Sequence, residues 1–194
     1  MLRHRFTIPL LILGLTLVSG MVARAGAPAP TPGTPSADTS RIARGQYLVN
    51  FGSCHDCHTP HTLGPKGPEP DMTRALSGHP SDLAVPPAPA LPAPWMFMGA
   101  GTFTAWAGPW GVSFTANLTP DKETGLGEWT EEMFIAALRT GRHQGKGRPI
   151  LPPMPYSWIS KLTDEDLAAV FAYLQSLPPV SNRVPAPVDP PEGQ

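Results

Sequence analysis

Cys54, His55, Asp56, Cys57 and His58 stand together in the stretch FGSCHDCHTP, and the 194-residue chain has no cysteine outside it. Thiols three positions apart share one side of a helical turn. Such a pair could cycle between dithiol and disulfide. Redox pairs of that kind usually open a helix after a strand, and no strand alternation is visible here. Zinc could be held by Cys54, Cys57 and two of His55, His58, His61 and His79. Structural zinc sites usually draw a second pair of ligands from farther along, and none is clearly spaced for it. Two unrelated thiols would be odd in a chain with no others. The order Cys-His-Asp-Cys-His is also C-x-x-C-H, the attachment pattern of a covalent haem. Each thiol can form a thioether to a vinyl group, and the adjacent histidine can then meet the iron. The motif and its context favour this last chemistry: one haem c on Cys54 and Cys57, with His58 as a metal ligand.

An electron-carrying haem closes its second axial position with methionine or histidine. Met72, Met96 and Met98 fall in a long loop, and Met133 falls on the apolar face of a helix, where core packing is the expectation. Met154 lies in ILPPMPYSWI, between two expected helices, with prolines on both sides to stiffen the loop. It is the favoured second ligand.

These residues need elements to hold them. The stretch DTSRIARGQYLVNFG offers Asp38, Thr39 or Ser40 as a helix cap, with Ile42, Ala43, Tyr47 and Leu48 as an apolar face and Gly52 near the end. From 59 to 115 the chain reads as irregular, with AVPPAPALPAP inside it. Trp95, Phe97, Phe103, Trp106, Trp110 and Phe114 follow as aromatic surface to be buried. WTEEMFIAALRTGRH has Thr130 as cap, Met133, Phe134, Ala137 and Leu138 as its face and Gly141 just past its end. LTDEDLAAVFAYLQSLPP has Thr163 as cap, with Leu167, Val170, Phe171 and Leu174 spaced for one face.

The ends have their own signatures. A basic start, an apolar run of about 15 residues and an Ala-Arg-Ala site read as a signal peptide over 1–25. An uncleaved anchor is the alternative, and no cysteine near the site suggests a lipid attachment. Residues 26–37 read as a flexible Pro/Ala linker, 38–180 as one domain and 181–194 as a disordered tail. A formal net charge of −1 gives no electrostatic footprint for nucleic acid. The expected location is the periplasm, with membrane contact only if the N-terminal segment is retained.

Residues from about 41 to 179 resemble a class I cytochrome c domain of bacterial periplasmic type. ARGQYLVNFGSCHDCHTP is similar to the first helix and attachment segment. NLTPDKETGLGEWTEEMFIAALRTGRH and ILPPMPYSWISKLTDEDLAAVFAYLQSLPP are similar to segments of the cytochrome c subunits of membrane-bound alcohol and aldehyde dehydrogenases. The resemblance implies an all-α fold of three to five helices around one haem, with His58 and Met154 as axial ligands and a long irregular insertion. It also implies that the first and last helices cross through Gly45 and Tyr47 against Tyr173 or Phe171. Those subunits carry three attachment motifs and this chain has one.

Around such a haem, the second ring nitrogen of His58 needs a backbone carbonyl, for which Pro68 or Pro70 is the candidate. Arg148, Asn117, Trp110 and Trp129 are candidate donors to propionates. Arg139, Arg142, Lys146 and Arg148 form a basic loop suited to an acidic redox partner or to propionate neutralisation. The expected function is single-electron transfer between periplasmic redox proteins: a dehydrogenase, an oxidase or another cytochrome. No catalytic residue is expected. The alternatives are a permanent haem subunit of a dehydrogenase complex and a haem enzyme or sensor with a displaceable sixth ligand.

Overall fold

The computed structural model describes residues 36–190, so the signal-peptide reading and nearly all of the expected linker lie outside the described residues. Helix α1 (Ala37–Phe51) leads into the short helix α2 (Cys54–His58). Two hairpin strands follow, β1 (His61–Gly64) and β2 (Gly67–Pro70), and then β3 (Met98–Gly99), β4 (Ala105–Gly108) and β5 (Gly111–Phe114). Helices α3 (Glu131–Thr140), α4 (Tyr156–Ile159) and α5 (Asp164–Gln175) complete the order.

The expectation of an all-α fold is corrected: about 34% of the described residues are helical and 14% are in extended pairing, chiefly two antiparallel sheets. β1 pairs with β2, and β4 pairs with both β3 and β5. The physical reason is strand length. Runs of two to four residues are too short to show alternation, and here they contain glycine and proline, which strand patterns normally lack. Two-residue turns, Pro65-Lys66 and Pro109-Trp110, close the hairpins between the paired glycines Gly64–Gly67 and Gly108–Gly111.

Helix ends follow local chemistry. Thr130 and Thr163 cap α3 and α5 by accepting from the amides of Met133 and Asp166. Gly141 ends α3 in the left-handed conformation. The cap of α1 is Ser36 rather than Asp38, Thr39 or Ser40, which lie inside the helix; its hydroxyl accepts from the Thr39 amide.

The core gathers Val49, Leu76, Leu126, Phe134, Leu138, Leu167, Phe171 and Leu174. α1 meets α5 at Gly45, where a Cβ would lie 1.9 Å from the Ala169 carbonyl oxygen and 2.8 Å from Tyr173 Cβ. Tyr47 does not join that contact. It is exposed, stacked on Phe51 with Arg44 over its ring. Phe171 packs on Phe134, ring centroids 5.3 Å apart, in the same cluster as Val49 of α1. Met133 faces solvent rather than the core, since Phe134, Ala137 and Leu138 fill the inner face of α3. Trp95, Phe97 and Phe103 are likewise exposed, on the surface of the insertion.

Residues 180–190, read from the sequence largely as a tail, lie against the domain. Asn182 is buried; its amide donates to the carbonyls of Ser77 and His79, and its oxygen accepts from the Ser81 amide. Val188 bridges to Val112 at the edge of β5. Among the described residues no helix is long and apolar enough to cross a membrane.

Candidate cofactor site

α1 stops at Gly52, and Ser53 turns the chain through a left-handed conformation into α2. Cys54 and Cys57 are free thiols one helical turn apart, both partly buried. Burial pushes the Cys54 thiol up to about 11 and raises Cys57 as well. Reactive dithiols do the opposite: their environment stabilises the thiolate. Burial of this kind does not favour disulfide exchange. The zinc reading needs four converging donors, and among the described residues no three His, Cys, Asp or Glu side chains gather to hold a metal.

His58 is buried at the end of α2. Its Nδ1 lies 2.8 Å from the carbonyl oxygen of Ala116. A carbonyl only accepts, so Nδ1 carries the proton and the lone pair of the neutral ring resides on Nε2. Burial pushes the His58 pKa down, against a smaller opposing pull from the Ala116 bond. A neutral ring with Nδ1 tied to backbone and Nε2 bare is the state in which imidazole binds a metal. The carbonyl expected from Pro68 or Pro70 comes instead from Ala116, 58 residues away. Nothing in the sequence marks it, because every residue has a carbonyl.

The loop that brings Ala116 to His58 is closely packed. Gly78 donates its amide to the His58 carbonyl at 2.8 Å. Its φ is +78°, and a Cβ there would lie 2.4 Å from the Thr115 oxygen and 2.6 Å from the Ala116 carbonyl carbon. Thr59, wholly buried, accepts from the Leu76 amide, and its hydroxyl lies 2.8 Å from His55 Nδ1. Burial lowers the His55 pKa.

Cys54 and Met154 both border the main hydrophobic core. Met154 is partly buried, and its amide donates to the Leu151 carbonyl. Met72 and Met96 are exposed, and Met98 lies on β3. The other expected contributors are mostly engaged elsewhere. The Asn117 side chain contacts Thr124, Thr119 and the carbonyls of Val180 and Asn182. Trp110 donates to the Ser113 hydroxyl, and Trp129 stacks edge-on with His143. Arg139 is tied to the carbonyls of Ser160 and Leu162 and to Asp164. Arg142, Lys146 and Arg148 remain exposed.

These residues fit a covalently held haem. The two thiols and the histidine occupy one short helix, and the ring nitrogen of His58 is preset by Ala116. Three buried polar atoms, Ser77 Oγ, Thr115 Oγ1 and Trp106 Nε1, have no hydrogen-bond partner among the described residues. Ser77 and Thr115 flank Gly78 and Ala116 in sequence, so two unpaired hydroxyls lie on the segments that anchor His58.

No protein-family model matches the chain. It is 30% identical over 160 residues to a nicotinate dehydrogenase subunit of Pseudomonas putida, a match covering 82% of this chain and 10% of that protein. It is 31% identical, over 82% of this chain and 26% of the relative, to the fructose dehydrogenase cytochrome subunit of Gluconobacter japonicus. Against the alcohol dehydrogenase (quinone) cytochrome c subunit of Gluconobacter oxydans it is 30% identical, covering 78% of this chain and 24% of the relative. The chain thus spans about a quarter or less of the length of these curated relatives. With its Cys-His-Asp-Cys-His helix and these matches, the chain belongs among the c-type cytochromes, similar to the cytochrome c subunits of dehydrogenases.

Proposed function

We propose that the chain carries one haem c, bound through Cys54 and Cys57 with His58 and Met154 as axial ligands, and passes single electrons between periplasmic redox proteins. The observation that carries this reading is His58, buried with Nδ1 committed to the Ala116 carbonyl and Nε2 left as a lone pair directly after the second thiol. When bound, the iron supplies one-electron cycling between ferrous and ferric states, and a methionine ligand favours the ferrous one. The protein holds the imidazole in one tautomer and lines the site with apolar side chains that exclude water. The Pro-Pro-Met-Pro loop restrains Met154. No side chain has to give or take a proton for this function.

An absorption spectrum of the purified holoprotein in both redox states tests the proposal, with Met154→Ala beside it. The parent is expected to be low-spin with a methionine–iron charge-transfer band, which Met154→Ala loses. A band that survives in the variant rules out Met154. Mass analysis of the exported chain should show a single added haem; none, or a second, refutes the stoichiometry.

The dehydrogenase names of the relatives and the exposed Leu63, Trp95, Met96 and Phe97 of the insertion favour a second arrangement. In it the chain is a standing subunit of a dehydrogenase, with the insertion as docking surface. Gel filtration of the native protein separates the two, since a freely diffusing carrier elutes alone.

A further inference from the structure

Ser113 lies on β5, within the insertion, yet its shortest polar contact is to the methionine loop. Its hydroxyl is 2.6 Å from the Pro152 carbonyl oxygen, and the Trp110 indole Nε1 is 3.3 Å from the same hydroxyl. An indole nitrogen can only donate. The Ser113 oxygen therefore accepts there, and its own proton goes to a carbonyl. Pro152 at 2.6 Å and Trp106 at 3.4 Å are in range, and the shorter contact takes it. Ser113 is only 7% exposed, so water does not readily replace the bond.

The other end of the bond matters more. Among residues 152–155, Pro-Pro-Met-Pro, only Met154 has a backbone N–H, and it is used within the loop, on Leu151. A loop so poor in donors needs a tether from outside itself. Ser113 provides one, and it is itself held from two sides. It pairs with Trp106 in the β4–β5 ladder, and its neighbour Val112 bridges to Val188.

We infer that Ser113 is a positioning residue for Met154: the insertion's sheet reaches over through one buried hydroxyl and holds the loop that presents the thioether. The inference rests on the proposed role of Met154 as an axial ligand. Its consequence is that the sixth ligand is retained by an element remote in sequence as well as by its own prolines.

The test is displacement of the methionine from the ferric holoprotein by added imidazole, followed through the methionine–iron charge-transfer band. Ser113→Ala should bind imidazole about fivefold more tightly than the parent, the factor that corresponds to one ordinary net hydrogen bond. Ser113→Thr, which keeps the hydroxyl, should return to the parent value. Trp110→Phe, which removes the indole donor but not the tether, should shift affinity about twofold in the same direction, as modest cooperative strengthening of the bond requires. Equal imidazole affinity in parent and Ser113→Ala overturns the inference. Should Ser113→Ala fail to yield holoprotein, an unshifted Trp110→Phe overturns it. A parent lacking the methionine–iron band removes the axial-ligand reading and this inference together. A parent band indifferent to Ser113 removes the inference alone.

Discussion

Gly78 sits where the chain passes closest to the carbonyl that holds His58, and its replacement by alanine tests that arrangement directly. Three effects compete. Placing a Cβ on a left-handed residue costs about 1–2 kcal/mol. The added carbon would lie 2.4 Å from the Thr115 oxygen, 2.6 Å from the Ala116 carbonyl carbon and 2.7 Å from the Ala116 oxygen. Carbon–oxygen contacts between chain segments normally settle at about 3.3–3.6 Å, so one segment must move by roughly 1 Å. Overpacking of that kind costs about 1–3 kcal/mol. Against these stands the smaller entropy of an unfolded alanine, which returns about 0.4–1 kcal/mol. The costs win, and a net loss of about 3 kcal/mol is expected. Guanidinium unfolding of the holoprotein, followed by far-ultraviolet circular dichroism, measures it. Gly101→Ala is the control, because nothing lies within 4 Å of its added carbon. A Gly78→Ala protein within about 0.5 kcal/mol of the parent would refute the reasoning, since that is the scale of a neutral surface change. The same displacement should weaken the Nδ1 bond of His58 and, on the proposed ligation, make the imidazole a poorer donor to ferric iron. The reduction potential should then rise, which a spectroscopic redox titration reads independently of stability.

Two further outcomes can be checked on the same holoprotein. Asn182→Ala removes contacts to Ser77, His79 and Ser81 and leaves buried carbonyls unpaired. A loss of about 2–4 kcal/mol is expected by chemical unfolding, because each stranded group costs about 1–3 kcal/mol; no loss would mean that residues 180–190 contribute nothing to the domain. His79 is buried, with Nε2 on the Leu83 carbonyl and Nδ1 on the Thr104 hydroxyl. Burial lowers its pKa from 6.5, against the opposing pull of the Leu83 carbonyl bond, with Arg74 adding to the shift and Asp82 opposing it. The unfolded chain then takes up the proton first, so this contribution to stability is complete above 6.5 and fades as pH falls through the lower, folded value. His55 and His143, also lowered by burial, act in the same direction. Unfolding midpoints measured from pH 8 down to pH 5 should decline, and less steeply in His79→Gln; a flat profile in the parent is the contrary result.

What the amino-acid sequence determined by itself is local. Thr130 and Thr163 cap their helices with hydroxyls that reach amides three residues on, and Leu167, Phe171 and Leu174 share a buried face through helical periodicity. The Cys54–Cys57–His58 spacing is equally local, because the chemistry of two thiols and an imidazole within one turn requires no distant residue. Tertiary structure alone decided which carbonyl meets His58, since an alanine carbonyl 58 residues away carries no chemical mark. It also decided that short, glycine-rich segments of the insertion pair into sheets, that Asn182 closes the domain, and that Ser113 reaches the methionine loop. Each of those contacts uses a generic polar group, and only the packed chain determines which of many such groups arrives.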